Sequence, residues 1–227
     1  MSAIITFQKM RLKNMTNKPF SQACENNKRP ILDMLTTLFA CNKHVLEIGS
    51  GTGQHAVFFA QHLAHLTWQT SDLPINHRGI HMWLDESTLA NVQRPIVVDL
   101  NKSWPVPNNH LQLDAVYTAN TLHIISWPLV VKFFEGIAQN LSAEANVCIY
   151  GPFKYHGKFT SESNANFDRR LKENDRNSGI RDIEAILLLA NSAGLNLIND
   201  HVMPANNQLL FFQKKITNAP SRLIPKV

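Results

Sequence analysis

The segment from Val45 to Gly53 constrains the fold of this chain more than any other part of the sequence. It reads V-L-E-I-G-S-G-T-G, an apolar run followed by glycine at every second position. Alternating glycines allow positive φ angles and leave no Cβ between the backbone and a ligand. A helix that begins just after such a turn points its free amides into the same space. The segment therefore predicts a strand, a nucleotide-binding turn and a helix, in that order.

The spacing of the glycines indicates which nucleotide this turn suits. A dinucleotide-binding turn follows G-x-G-x-x-G, whereas here Gly53 comes one residue early and Gln54 replaces the last small residue. Glu47 lies two residues before Gly49, where a carboxylate repels a diphosphate but suits a cofactor with a cationic end. The pattern E-x-G-x-G-x-G after a strand resembles motif I of the class I methyltransferases that use S-adenosylmethionine (SAM).

Acidic residues follow the next two predicted strands, at residues 66–71 and 96–98. Asp72 lies about 20 residues after the glycine turn, where a ribose-binding acid is expected. Asp99 ends the following strand, and the resemblance to class I methyltransferases implies that it contacts the adenine amino group. The cofactor-binding residues expected from the turn, the acids and the resemblance are Glu47, Gly49, Ser50, Gly51, Gly53, His55, Asp72, Asp99, Leu100 and Asn120.

Length and composition favour one enzyme-sized domain. The chain has 227 residues without an internal Pro/Gly/Ser-rich linker or a repeat. We expect a tail at residues 1–17, one domain at 18–215 and a second tail at 216–227. Neither a signal peptide nor an apolar run of membrane-spanning length is seen, and the three cysteines lie far apart. These features predict a cytoplasmic protein that does not insert into membranes.

The net charge of +5 raises the question of nucleic-acid binding. Much of the excess lies in the first 30 residues, and the remaining basic residues are scattered without interleaved aromatic side chains. A solvated surface explains this distribution better than a nucleic-acid interface. Among the ten histidines, His62 and His65 share a helical face but have no nearby cysteine or paired carboxylate, so no metal site is expected.

Helix and strand patterns alternate along the chain and predict an α/β fold. Apolar residues at helical spacing behind Pro30, taken as a first-turn residue, predict a helix before the first strand. Further helices are expected at 54–65, 128–141, capped by Ser126, and 182–192. The predicted strands cover residues 44–48, 66–71, 96–98 (short and buried), 115–118, 146–150, 195–202 and 208–214.

The last two predicted strands are joined by the short turn at residues 203–207 and must be antiparallel neighbours. Such a hairpin is the ending of a seven-stranded methyltransferase. By that resemblance we expect a Rossmann-like sheet of order 3-2-1-4-5-7-6, with the last strand antiparallel and helices on both faces.

The whole chain from about residue 18 to 215 also resembles a narrower group, the methyltransferase-like family known as domain of unknown function 938 (DUF938), which includes the animal methyltransferase-like protein 26. The matching segments are residues 18–21, 25–28, 46–55, 119–127, 150–153, 160–164, 179–182 and 203–207. The resemblance implies the fold and a SAM site but no particular methyl acceptor.

Polar loops at the carboxyl ends of the strands are expected to form the acceptor site. Methyl transfer from a sulfonium is an in-line displacement that needs alignment first and a base only for some acceptors. His123 and Tyr155 are the candidate proton acceptors, although a lone histidine is more often structural. The candidate substrate-binding residues are Asn26, Lys28, Tyr150, Phe153, Asn164 and Arg181.

Three functions stay open on the sequence. A methyltransferase for a small-molecule acceptor fits best, because no added recognition domain accompanies the expected pocket. The motif D/N-P-P-Y/F of adenine-N6 and glutamine methyltransferases is absent, since Thr121 follows Asn120. A nucleic-acid or protein methyltransferase is one alternative, and a non-catalytic SAM-binding sensor or partner subunit is the other. Oligomeric state is not predicted.

Overall fold

A computed structural model describes residues 18–105 and 113–216, so the predicted tails lie outside the described residues apart from Ile216. The helices are α1 (Gln22–Leu38), α2 (Gln54–His62), α3 (Pro74–Ser87), α4 (Trp127–Asn140), α5 (Glu162–Asn174) and α6 (Ile183–Ser192). The strands of the main sheet are β1 (His44–Ile48), β2 (Thr67–Asp72), β3 (Val92–Val97), β4 (Ala115–Ala119), β5 (Asn146–Gly151), β9 (Leu195–Met203) and β10 (Asn207–Lys214). A small second sheet contains β6 (Phe153–Tyr155), β7 (Lys158–Phe159) and β8 (Arg181–Asp182).

The main sheet has seven strands in the order β3-β2-β1-β4-β5-β10-β9. β1 pairs in parallel with both β2 and β4, whereas β10 runs antiparallel to its neighbours β5 and β9. The predicted order 3-2-1-4-5-7-6 with an antiparallel last strand is therefore confirmed. A 3-10 turn at Pro204–Asn206 closes the final hairpin.

Helices cover both faces of the sheet, as predicted. One apolar cluster joins α1, α2 and α3 to one face around Phe59 and Trp68. The other joins α4 and α6 to the opposite face around Phe133 and Phe212. The central parallel strands β1, β4 and β5 are buried on both faces, which explains why their sequences are largely apolar rather than alternating. Across the described ranges, every helix is too short or too polar to cross a lipid bilayer.

The predicted start of the first helix was wrong. Pro30 was taken as a first-turn residue, but α1 begins at Gln22 and contains Pro30 in its interior. Ser21 caps the helix by accepting a hydrogen bond from the Cys24 amide at 3.3 Å, and Glu25 adds negative charge to the first turn. The proline only removes one helical donor, and it faces the cavity described below.

The third strand was predicted to be short and buried, and this too was wrong. β3 begins at Val92 and forms the edge of the sheet, with three of its six residues exposed. An edge position tolerates Pro95, which has no amide to donate to a neighbour. The helix after β1 ends three residues earlier than predicted, at His62. Helices α3 and α5 and the small sheet were not predicted.

Gly136 in the middle of α4 packs directly against Trp104. A Cβ at residue 136 would lie 2.1 Å from Cε2 of the Trp104 ring. Alanine usually stabilises a helix relative to glycine by about 1 kcal/mol, but here the clash outweighs that gain. We expect Gly136→Ala to lower the free energy of unfolding by roughly 2 kcal/mol in urea titrations. Gln139→Ala, at an exposed position of α4, is the control and should change it little.

Candidate functional site

A cavity of about 800 Å³ lies at the carboxyl ends of the parallel strands, beside the point between β1 and β4 where the strand order reverses. Open α/β sheets bind their ligands at this place. Its walls come from the loops after β1, β2, β4 and β5, from the first turns of α1, from α5 and from the turn between β9 and β10. The site is therefore assembled from segments that are far apart in the sequence.

The glycine turn forms one wall of the cavity. Gly49, Gly51 and Gly53 have φ angles of 75°, 57° and 89°, as the alternating pattern predicted. Position 49 also favours glycine because the loop after β4 comes close to it. A Cβ at residue 49 would lie 2.9 Å from Oγ1 of Thr121 in that loop. A Cβ at Gly51 would meet no atom within 4 Å. The turn thus presents bare backbone to open space.

Asp72 joins the end of β2 to the glycine turn. Its Oδ2 accepts a hydrogen bond from the Gly51 amide at 2.7 Å, while Oδ1 accepts from the Leu73 amide at 2.7 Å and from Nδ2 of Asn76 at 2.8 Å. Asp72, Gly51 and Asn76 all line the cavity. The carboxylate is held in one orientation and still offers lone pairs to hydroxyl groups of a ligand.

Glu47 is a buried carboxyl group beneath the turn. Its Oε2 accepts hydrogen bonds from Oγ of Ser50 at 2.9 Å and from Nε1 of Trp68 at 3.1 Å. Burial raises the pKa of Glu47 to about 7, since desolvation outweighs the two hydrogen bonds. No cation pairs with Glu47 among the described residues, so a cationic ligand group in the cavity would favour its charged form.

The N-terminal segment folds across the glycine turn. Gln54 holds it there, because its Oε1 accepts a hydrogen bond from the Ser21 amide. His55 makes a second connection: its Nε2 donates to Oδ1 of Asn27 at 2.7 Å, and its Nδ1 accepts from the Tyr117 hydroxyl at 3.3 Å. Burial lowers the pKa of His55 to about 4, which matches this neutral arrangement. Gln54, which replaces the last small residue of a dinucleotide-binding turn, thus holds the start of α1 over the cavity.

His123 enters the cavity from the loop after β4. Its side chain is 5% exposed, and its ring meets Phe167 edge to face at 5.3 Å. Burial, with a smaller contribution from Arg181, lowers the pKa of His123 to about 4, so the imidazole is neutral at physiological pH. Within the described part of the chain neither ring nitrogen of His123 has a hydrogen-bond partner. A buried polar group without a partner in a cavity wall is suited to a ligand.

The loop that carries His123 is held through its own backbone carbonyls, those of the four consecutive residues 122–125. Nε of Arg181 donates to Leu122 O at 2.9 Å, the Gly179 amide to His123 O at 2.8 Å, and Oγ of Ser178 to Ile124 O at 2.5 Å. Nη2 of Arg181 also donates to the carbonyl of Ile125. We call residues 178–181 the clamp. It fixes the position of His123 without touching the cavity itself.

The clamp is in turn fixed by α5. Asp168, 5% exposed, accepts a hydrogen bond from the Ile180 amide at 2.7 Å through Oδ1 and one from Lys172 at 2.6 Å through Oδ2. The same helix contributes Asn164, Phe167 and Arg170 to the cavity. Asn164 donates to Thr160 Oγ1 and to Asn206 O, both at 2.9 Å, and so joins α5 to the turn between β9 and β10.

Most of the predicted ligand-binding residues line the cavity. These are Asn26, Glu47, Gly49, Ser50, Gly51, His55, Asp72, Asn120, His123, Tyr150 and Asn164. Residues that line it and were not foreseen include Asn27, Asn76, Phe167 and Arg170. The cap at Ser161 with Glu162, followed by the helical spacing of Asn164, Asp168 and Leu171, was the signal that predicts α5.

Seven predicted site residues lie outside the cavity lining. Gly53 caps α2 and Leu100 packs against the larger apolar cluster. Asp99 accepts from the Asn101 amide and pairs with Lys102, which holds its pKa below the usual range. The other four are Lys28, paired with Glu25; Phe153, buried in the core; Tyr155, which donates to Asp200; and Arg181, in the clamp.

Metal-ligating side chains are not clustered in this site. Within residues 18–105 and 113–216, no three His, Cys, Asp or Glu side chains come together in a way that suits a metal ion.

The fold resembles those of solved methyltransferase structures. An O-methyltransferase family protein from Burkholderia thailandensis has a TM-score of 0.71 at 18% identity, over 85% of this chain and 57% of that chain. Human N-acetylserotonin methyltransferase in complex with SAM has a TM-score of 0.71 at 15% identity, over 86% of this chain and 53% of that one. This chain thus spans less than two thirds of the length of these proteins, and the likeness shows a shared fold.

A protein-family comparison gives a match over nearly the whole described region. The model of the family described as "Protein of unknown function (DUF938)" matches residues 18–214.

Proposed function

This chain belongs to the DUF938 family, and we propose that it is a methyltransferase that binds SAM and methylates a small molecule. The observation that carries the proposal is the Asp72 carboxylate hydrogen-bonded to the Gly51 amide at the mouth of the glycine turn. This arrangement offers carboxylate and backbone groups to a ribose, while no side chain of the turn blocks the cavity.

The residues of the cavity fit the parts of SAM. Asp72 and Asn76 would bind the ribose hydroxyls, and the open side of Gly51 leaves room for the sugar. Glu47 would face the amino-acid end, whose ammonium group suits a buried carboxyl without a cationic partner. Asn120, with a φ angle of 56° and its amide bonded to Tyr150 O at 2.9 Å, would lie next to the reacting methyl group.

Further parts of the proposal rest on the sequence and on the similar proteins. The similar solved structures support methyl transfer. The methyltransferase-like protein 26 type stays a prediction from the matching sequence segments. Asp99 and Leu100 stay predicted adenine-side contacts, and Lys28, Phe153 and Tyr155 stay predicted acceptor-side residues. A cytoplasmic location, a domain at 18–215 and little affinity for nucleic acid also stay predictions.

The chain's own residues would align the acceptor and receive its proton. When bound, SAM supplies a methyl carbon whose bond to sulfur breaks as the acceptor's lone pair forms the new bond. His123 is neutral and has no hydrogen-bond partner among the described residues, so it can accept a hydrogen bond from a hydroxyl or amine and take its proton. The clamp would hold the imidazole in place, and α1 would exclude water above the glycine turn.

Calorimetric titration with SAM, S-adenosylhomocysteine and NAD tests this proposal directly. We expect both adenosyl ligands to bind and NAD to bind far more weakly, because the turn lacks the third small residue and carries Glu47. Failure of both adenosyl ligands to bind, or a preference for NAD, would disprove the cofactor assignment.

Binding of SAM should release protons near neutral pH. Glu47 has a pKa of about 7 without a ligand, so it is partly protonated there, and a nearby ammonium would lower that pKa. The affinity should therefore rise as pH increases through about 7 and then level off. Calorimetry in buffers of different ionisation enthalpy measures the released protons, and Glu47→Gln should abolish the release. An equal release from the variant would contradict this role.

His123→Ala should reduce turnover with a hydroxyl acceptor by roughly tenfold and leave binding of S-adenosylhomocysteine unchanged. The effect is smaller than the roughly 100- to 10,000-fold typical of a general base, because a group with a pKa of about 4 is a weak base. Methyl transfer from radiolabelled SAM measures turnover. His65→Ala, whose side chain contacts Phe39 O away from the cavity, is the control. Equal turnover by both variants would exclude His123 as the base.

A further inference from the structure

The acceptor end of the cavity is shaped by one face of α5. Ser163, Phe167 and Arg170 follow one another at helical spacing (i, i+4, i+7), and all three line the cavity. Phe167 contacts the ring of His123, whereas Ser163 lies next to the turn between β9 and β10 through its bond with Asn206. This face is on the side of His123, and the glycine turn and Asp72 form the other end.

The formal charges of the lining are segregated. Its two carboxyl groups, Glu47 and Asp72, belong to the glycine turn and the end of β2, where the proposed cofactor binds. Among the lining residues that the structure describes, Arg170 is the only lysine or arginine. It has no ion pair or hydrogen bond with any residue of the described ranges. Arg170 is therefore free to bind an anion that enters the cavity.

Apolar side chains line the cavity beside His123. Phe167 contacts the His123 ring, and Ile124, Ile125 and Pro204 also belong to the lining. Arg170 is three residues beyond Phe167, which is about 4.5 Å along a helix axis. A ligand that reaches from His123 to Arg170 therefore needs an apolar body of roughly the size of an aromatic ring, with a polar group at each end.

We propose that the methyl acceptor is a small carboxylic acid, with its carboxylate bound by Arg170, its apolar body against Phe167 and its methylated atom near His123. The argument rests on the proposed function, because it places the cofactor at the glycine turn. A planar guanidinium binds a carboxylate through two parallel hydrogen bonds, which sets the direction of the ligand as well as its affinity. Arg170 is then the residue that selects acids over neutral molecules of the same shape.

Binding to protein saturated with S-adenosylhomocysteine tests this proposal. The probes are 4-hydroxyphenylacetic, 4-hydroxyphenylpropanoic and 4-hydroxycinnamic acids, each compared with its own methyl ester by calorimetry. Arg170→Gln removes the charge. Arg169→Gln is the matched control, since Arg169 is the adjacent arginine and is exposed like Arg170, but it bonds to Asn166 and does not line the cavity.

We expect wild type and Arg169→Gln to bind at least one acid about tenfold or more tightly than its ester. Arg170→Gln should bind that acid and its ester within about twofold of each other. The proposal is overturned if no acid is preferred to its ester, whether both bind or neither does, or if Arg170→Gln keeps the preference. Failure of S-adenosylhomocysteine itself to bind would instead overturn the proposed function, so the two failures are distinguishable.

Discussion

Asp72→Ala is expected to lower the affinity for S-adenosylhomocysteine by at least about 100-fold. The carboxylate would accept hydrogen bonds from the ribose, and each bond to a charged acceptor contributes about 1.5–3 kcal/mol. The substitution also leaves the Gly51 amide and Nδ2 of Asn76 without their partner. The loss of affinity therefore combines missing contacts with a less ordered glycine turn.

Calorimetric titration measures this loss, with thermal unfolding as a check that the fold is intact. Asp85→Ala is the control, because Asp85 is an exposed acid on α3 whose partner is Arg94. Asp72→Asn keeps an acceptor oxygen for the Gly51 amide and should bind with intermediate affinity. If Asp72→Ala bound S-adenosylhomocysteine within about threefold of wild type, Asp72 would not be the ribose-binding acid.

Arg181→Met is expected to destabilise the protein by about 3 kcal/mol and to displace His123. The guanidinium donates to the carbonyls of Leu122 at 2.9 Å and Asn177 at 3.0 Å, and also to that of Ile125. Methionine fills a similar volume but leaves the half-buried carbonyls of Leu122 and Ile125 without these donors. Urea titration measures the loss of stability. The affinity for S-adenosylhomocysteine should change little, because the clamp does not contact the glycine turn.

The NMR signal of the His123 imidazole shows whether Arg181 positions this ring or only stabilises the fold. Its chemical shift should change and its line broaden in Arg181→Met, while the signal of His55 stays in place. Arg176→Met, at a neighbouring exposed arginine, is the control for both measurements. Arg181→Lys should recover only part of the stability, since an ammonium cannot reproduce the planar fork of donors. An unchanged His123 signal would show that Arg181 supports the fold but does not position His123.

The fold was largely readable from the sequence because its determinants are local. The glycine turn after an apolar strand predicts a βα unit, and the short connection at residues 203–207 requires an antiparallel hairpin. Both features survive in the structure at the predicted residues. The errors concern the first helix and the third strand, whose limits depend on tertiary structure. Pro30 is tolerated inside α1, and Pro95 is accommodated because β3 is an edge strand.

The residues proposed to bind the cofactor lie at positions that the chain connectivity brings together. Glu47 and Asp72 lie at the ends of β1 and β2, and the glycines at 49 and 51 follow β1. Parallel strands bring their carboxyl ends together by geometry. Asp99 lies two residues after the end of β3, yet the loop turns its carboxylate to the Asn101 amide and Lys102. A strand-end position alone therefore does not decide where a side chain points.

By itself, the sequence determined the place of the glycine turn, of Asp72 and of the antiparallel hairpin, because backbone conformation and chain connectivity are encoded over short distances. The strand order was expected from the family resemblance. Only the tertiary structure decided that Arg181 holds the loop of His123, that burial keeps His123 neutral, and that Arg170 lines the same cavity as His123. These properties depend on desolvation and on contacts between residues 56 and 59 positions apart, which no local pattern records.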